Sequence, residues 1–380
     1  MAERRFLIVT ASIGSGHSKA AEAVEEELKK VYPKAFIRIV DFSAWDVSPA
    51  TAFMKASYLF MLHFIPNLYN LMYCFTGGKA GGLSVQSLIS ASTARDIRAL
   101  VRKYQPDVVI CTHPFPAGAA SWRKARHPHE FLFATVITDY SVHQMWIYPN
   151  VDRYFVAREA MKTDLAAAGL PTEHIYVTGI PIMEAFTQPV DRTATFRRLN
   201  LSPDFPVVLL MGGGLGLGGV EAALTELEQF AGSIQILVVA GRNEKLRRRV
   251  EALARRSRHE LRAWGYSSEI RALMAAASFL ITKPGALTIS EALAAELPLV
   301  LHDPIPGPEA QNAAYMARCG VAVWVSEPKK LGEVLQQLLT EPERLQNMRE
   351  RARAMKRPNA AHSIGAVLID ALEQRSDEEA

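Results

Sequence analysis

The feature that most constrains this chain is a rhythm. Short apolar runs of strand length alternate with helical patterns, stop at a polar, proline-bearing stretch, and then start again. In the first half the runs are Phe6 to Val9, Phe36 to Val40, Val108 to Cys111, Phe131 to Thr138, Tyr154 to Val156 and Ile175 to Val177. Between the first two, Ala21, Val24, Leu28 and Val31 recur at helical spacing, with Glu25/Lys29 and Glu26/Lys30 as exposed pairs and Pro33 beyond the end. Strand-then-helix alternation implies a parallel sheet covered on both faces. After Thr187 to Pro206 the series resumes with Val207 to Met211, Ile234 to Ala240, Phe279 to Ile281, Leu299 to Leu301 and Val321 to Val325.

The reading is an α/β protein of two doubly wound domains facing a central cleft where strand carboxyl ends meet. The expected boundaries are residues 1–188, 189–358 and a terminal segment 359–380, helical from Ala360 to Gln374 with a frayed acidic tail from Ser376. A chain of 380 residues with 49% hydrophobic content fills two such cores. A formal charge of +4 falls far short of a dedicated nucleic-acid binder and suits an anionic lipid surface. The three cysteines, Cys74, Cys111 and Cys319, lack metal-ligand spacing and read as reduced thiols, and Phe6 to Val9 is too short for a signal-peptide core. The protein is therefore expected inside the cell.

One stretch breaks the rhythm. From Ala56 to Phe75 there is no charged residue, while Tyr58, Phe60, Phe64, Tyr69, Tyr73 and Phe75 crowd together. Pro66, Asn67 and Asn70 argue against a spanning helix, which leaves two readings: amphipathic segments lying in a membrane interface, or helices packed on the first core.

Several loops that follow strands carry chemistry. In Ala11-Ser-Ile-Gly14-Ser-Gly16-His17, the ending of a nucleotide-triphosphate loop is missing, but a histidine is presented at the start of a helix, where the dipole keeps it neutral. His17 is a candidate general base, the alternative being a packing or capping histidine. Met211 to Gly219 contains Gly212, Gly213 and Gly214 and matches GxGxxG, yet the next strand ends in Arg242 and Asn243 where a dinucleotide site needs an acid. Ile281-Thr-Lys283-Pro-Gly285-Ala286-Leu287-Thr288 breaks a strand and opens a helix at once. Its first backbone N–H groups suit a diphosphate, with Lys283 nearby and Glu291 one turn on to accept ribose hydroxyls. Asp303 to Asn312 delivers Glu309, Gln311 and Asn312 towards the cleft, a set suited to sugar hydroxyls or to a solvated helix cap. Asp139, His143 and Trp146 follow a strand without a third metal ligand, and His127-Pro-His129 reads as a solvated loop. His113, in Thr-His-Pro, either lines the acceptor side or is satisfied by backbone.

Taken together, these residues resemble, over nearly the whole chain, the family of monogalactosyldiacylglycerol synthases and processive diacylglycerol glucosyltransferases, related to the lipid-intermediate N-acetylglucosaminyltransferase of peptidoglycan synthesis. The resemblance implies a GT-B fold, with the last helix crossing back to the first domain. It also implies inverting transfer of a hexosyl group from a UDP-sugar to a diacylglycerol-type hydroxyl, with no cofactor and no required metal. It makes His17 in the Gly14/Gly16 loop the base and sets Asp139, His143 and Trp146 beside the lipid acceptor. It brings Gly212 to Gly214 to the phosphates, Tyr266 to the uracil, Glu291 to the ribose, and Glu309 with Asn312 to the sugar. Peripheral contact with the anionic inner face of the cell membrane is expected from the mildly basic charge and the aromatic stretch. Pro308 stands where members often carry a polar residue, so the identity of the sugar stays open. Two other classes share these features: a UDP-sugar 2-epimerase of the same architecture, against which the aromatic stretch counts, and a non-catalytic lipid-surface binder, against which His17 and Glu291 count.

Overall fold

A computed structural model describes residues 4–12, 15–42, 75–77, 79–214, 219–305 and 307–379. The aromatic stretch lies outside these residues except for Phe75, as does Gly14. The chain divides into two compact units, Met1–Glu184 with Pro358–Ala380, and Ala185–Arg357.

In the first unit β1 (Arg5–Thr10), β2 (Phe36–Asp41), β3 (Val108–Cys111), β4 (Leu132–Val136), β5 (Arg153–Val156) and β6 (Ile175–Val177) form a parallel sheet in the order β2-β1-β3-β4-β5-β6. Helix Ser15–Val31 buries Ala20, Ala21, Ala23, Val24 and Leu28 on one face. Lys29 meets Glu25 at 3.0 Å as its spacing requires. Lys30 instead pairs with Glu184 at 2.6 Å, while Glu26 accepts the Glu184 N–H, so tertiary partners displace the expected Glu26/Lys30 pair. The last helix runs over Ala360–Glu379 and inserts Ile364, Leu368, Ala371 and Leu372 into the same core as Ala21, Val24 and Leu28. The expected frayed tail is thus corrected. The Ser376 hydroxyl donates to Leu372 O at 2.9 Å and accepts from Arg4 Nη2 at 2.8 Å, which carries the helix on to Glu379.

The second unit contains β7 (Val207–Met211), β8 (Gln235–Val239), β9 (Glu260–Trp264), β10 (Phe279–Thr282), β11 (Leu299–His302) and β12 (Ala322–Val325) in the order β12-β11-β10-β7-β8-β9, again all parallel. β9 is an addition to the sequence reading. It is an edge strand, Glu-Leu-Arg-Ala-Trp, with only Leu261 buried, so it lacks the apolar run that marks a central strand. The core packs Leu210, Leu224, Ile236, Phe279, Ile281 and Leu335.

The strand order explains where function sits. In each sheet the order reverses beside the first strand, at β1/β3 and at β7/β10, and open parallel sheets bind ligands beyond the carboxyl ends of the strands at such points. Val9 pairs with Cys111 and Met211 with Thr282, so the loops leaving those strands depart side by side.

Candidate active site

At the β1/β3 switch point the helix Ser15–Val31 presents His17 in its first turn, half-buried. Its Nδ1 lies 2.9 Å from the carbonyl of Thr112, just past β3, and 2.6 Å from the hydroxyl of Thr138, past β4. A carbonyl oxygen only accepts, so Nδ1 carries the ring proton and Nε2 keeps the lone pair. The Thr112 hydroxyl donates in return to the His17 carbonyl at 3.0 Å, tying the helix start to the end of β3. The imidazole is further flanked by the His113 ring, edge-on at 4.6 Å, and by Trp146 at 6.5 Å. This enclosure holds its pKa down at about 4, against 6.5 for an ordinary histidine. Burial is the larger cause, and the Thr112 carbonyl, which favours the charged ring, opposes it. His17 is therefore neutral, with desolvation as the cause.

His113 is buried, with its Nδ1 accepting the Phe115 N–H at 3.2 Å as the N-cap of helix Pro114–Lys124. Of its two sequence readings, satisfaction by backbone holds for Nδ1, while the ring nonetheless borders His17. Trp146 is buried, Asp139 and Gly16 are half-buried, and His143 caps a short turn through Met145 N–H at 3.2 Å. That turn is held by residues the sequence did not single out. Gln86 Nε2 donates to Ile147 O at 2.7 Å, and Tyr154 Oη to Trp146 O at 2.9 Å. Thr112 and Thr138 were likewise missed as partners. Their only signal was position just past β3, which neighbours β1, and β4, which neighbours β3.

At the β7/β10 switch point, Gly212 to Gly214 leave β7, and Gly213 adopts φ +69°. A Cβ there would come 3.2 Å from Lys283 Cε, so the glycine admits close passage of the two loops. Gly241, at the end of β8 with φ +60°, is another missed residue; its Cβ would fall 2.7 Å from the Gly213 carbonyl. Lys283 forms an ion pair with Glu309, whose second oxygen accepts the Ile305 N–H at 2.8 Å. The lysine charge is thus largely offset within the protein. Gly285 opens the nine-residue helix Ala286–Ala294 with no side-chain cap, leaving the leading N–H groups of Ala286, Leu287 and Thr288 directed outwards from its first turn. Asn312 is fully buried and its amide donates to Pro284 O at 3.2 Å, so it braces the turn that precedes this helix. Glu291 is half-buried one turn on. Tyr266 is 60% exposed, just past β9, with Arg242 5.5 Å from its ring centre.

Lys283, Gly285, Glu309 and Asn312 therefore meet around the Gly213 loop, while His17 gathers Thr112, Thr138, His113 and Trp146 in the other unit. Among the described residues no three His, Cys, Asp or Glu side chains converge as metal ligands.

Two such doubly wound units, one with an uncapped helix start and one with a neutral histidine, give the chain the GT-B architecture. Residues 207–364 match the glycosyltransferase family 28 C-terminal domain. MurG of Acinetobacter baumannii shares the fold with TM-score 0.64 at 16% identity, over 97% of this chain and 100% of that one. Fold alone does not select the reaction, because a putative UDP-N-acetylglucosamine 2-epimerase from Listeria monocytogenes matches with the same TM-score of 0.64 at 14% identity, over 98% of each chain. Relatedness does select it. Residues 17–182 match the monogalactosyldiacylglycerol (MGDG) synthase model. The processive diacylglycerol beta-glucosyltransferase of Bacillus cereus (strain AH187) is 30% identical over 367 residues, 96% of this chain and 94% of that protein. The Bacillus mycoides (strain KBAB4) enzyme of the same name agrees to the same extent. The chain belongs to the family of monogalactosyldiacylglycerol synthases and processive diacylglycerol glucosyltransferases.

Proposed function

We propose that this enzyme transfers a hexose from a UDP-sugar to the free hydroxyl of a diacylglycerol-type lipid, with inversion, and that His17 is the base. The single observation that carries the reading is the pairing of His17 Nδ1 with the Thr112 carbonyl, which leaves Nε2 as a proton acceptor. In the reaction the acceptor oxygen forms a bond to the anomeric carbon as its proton passes to His17 Nε2. The bond from that carbon to the β-phosphate oxygen breaks, and UDP leaves carrying the negative charge. An α-linked donor then yields a β-linked product, the linkage named in the relatives.

The donor half suits the departing diphosphate. N–H groups at the start of helix Ala286–Ala294 and the backbone of Gly212 to Gly214 stabilise the charge, with Lys283 contributing less because Glu309 pairs with it. Glu291 takes the ribose hydroxyls and Tyr266 stacks on the base, steadied by Arg242. Glu309 contacts the sugar, and Asn312 acts on it through the Pro284-Gly285 turn that it holds. Asp139, His143 and Trp146 border the lipid. The domain limits relevant to these roles are residues 1–188 for the acceptor half and 189–358 for the donor half, with 359–380 returning to the first. No metal or cofactor is required by this scheme, and no nucleic acid enters it.

The enzyme works as a peripheral protein on the anionic inner face of the cell membrane. Among the described residues no helix is long and apolar enough to cross a bilayer. Phe75, Leu83 and Leu88 are 63%, 52% and 72% exposed, apolar side chains that follow the aromatic stretch in sequence. Flotation with anionic vesicles tests this, and a protein that stays at the bottom of the gradient removes the membrane role. The activity is tested by UDP release on diacylglycerol-containing liposomes with UDP-glucose, UDP-galactose or UDP-N-acetylglucosamine, with the lipid extract examined for product. Release that is independent of lipid with every donor would refute the acceptor class.

A further inference from the structure

His113 has no role in the scheme above, yet its chemistry complements that of His17. The Phe115 N–H occupies His113 Nδ1 at 3.2 Å, so the neutral ring carries its proton on Nε2. Burial, with His17 beside it, holds its pKa well below 6.5, and the ring is neutral. The two rings stand edge to face with centroids 4.6 Å apart and planes at 75°. The backbone thus imposes opposite tautomers on adjacent histidines: His17 Nε2 is an acceptor and His113 Nε2–H a donor. Among the described residues neither Nε2 has a hydrogen-bond partner, nor does either belong to the polar atoms sealed in without one. A helix cap alone needs only the Nδ1 side of an imidazole. Asn, Ser or Asp serve that purpose at least as well, and none carries a donor out to the position of Nε2.

We propose that His113 is a second acceptor-contacting residue, donating its Nε2–H to the oxygen of the same hydroxyl whose proton His17 Nε2 removes. The inference rests on His17 as the base. A hydroxyl group is both donor and acceptor, and this pair addresses both sides of it at once. The hydrogen bond from His113 stabilises negative charge growing on the oxygen as the proton departs, and fixes which lone pair is left to attack the anomeric carbon. It compensates for the weak basicity that burial confers on His17. Thr138 is the positioning residue of the pair. Its hydroxyl lies 2.6 Å from His17 Nδ1 and donates to Thr112 O at 3.4 Å, keeping the His17 ring in register with its neighbour.

Two substitutions separate contact from capping. H113N keeps an oxygen where Nδ1 accepts the Phe115 N–H but removes the distal donor. H113Q keeps a distal N–H near the position of Nε2 but is a poorer cap. We expect H113N to keep its melting temperature and donor KM while kcat falls about 10- to 100-fold, the range for one lost hydrogen bond at a developing charge. We expect H113Q to melt earlier yet turn over faster than H113N. If H113N turns over within about twofold of the parent, or H113Q is no faster than H113N, His113 is only a cap. The base assignment fails separately, through an active His17→Ala enzyme.

Discussion

The prediction that most directly exposes the reasoning concerns the acid limb of the pH profile. An ordinary histidine base with pKa 6.5 is only about 9% neutral at pH 5.5, and kcat/KM would fall about tenfold there. With the pKa of His17 held at about 4, roughly 97% remains neutral at pH 5.5. The plot of kcat/KM for the lipid acceptor, which reports the free enzyme, should therefore stay flat from pH 8 down to about 5 and bend only near 4. The same shift has a stability consequence of known sign. The folded pKa lies below the unfolded one, so between pH 6.5 and about 4 the unfolded chain binds a proton that the folded chain refuses. Stability is full above 6.5 and declines as the pH falls through that window, by up to about 3 kcal/mol for a shift of this size. His17→Ala should lower kcat by about 10²- to 10⁴-fold while leaving UDP affinity unchanged, and its unfolding free energy should be less acid-sensitive between pH 6.5 and 4. The assays are a pH series of UDP release and urea denaturation of both proteins at pH 7 and 5. An acid limb near 6.5 that vanishes in His17→Ala would show an ordinary, solvated imidazole and refute the enclosure argument.

Other perturbations test other parts of the molecule. Glu291→Ala should weaken UDP binding by about 10- to 150-fold, the equivalent of 1.5–3 kcal/mol for hydrogen bonds to a charged group, as read by calorimetry; equal affinity would remove Glu291 from the ribose. Gly241→Ala forces a Cβ to within 2.7 Å of the Gly213 carbonyl and strains a φ of +60°, so UDP affinity should drop with little change at His17, whose imidazole resonance reports the other unit. Leu368→Ala empties a site in the core shared by the last helix and helix Ser15–Val31, and should cost about 2–5 kcal/mol in denaturant unfolding. A loss below about 0.5 kcal/mol would mean that the terminal helix is dispensable to that core.

Much of this was legible in the sequence because it depends on local pattern. Among the described residues every strand but β9 stood out as an apolar run, because strands of a helix-covered parallel sheet are rich in apolar residues, and the central ones are buried on both faces. β9 was missed because Glu260 and Arg262 interrupt it and only Leu261 is buried, so its pairing with β8 is what defines it. The loops at His17, Gly212, Lys283 and Glu309 were found because glycine, proline and chemistry-bearing residues cluster where strands end. The Lys283–Glu309 pair, the burial of Asn312 and the role of Ser376 in prolonging the last helix were not legible, since each depends on a residue brought from elsewhere in the fold.

The sequence by itself determined the class of fold and the repetition of the doubly wound unit, because periodicity is a property of short segments, and its motifs carried the resemblance to the family. Only the tertiary structure decided which nitrogen of His17 holds the proton and that His113 holds it on the other. Those tautomers are set by carbonyl and N–H groups of Thr112 and Phe115, and backbone groups have the same chemistry in every sequence until the fold aims them.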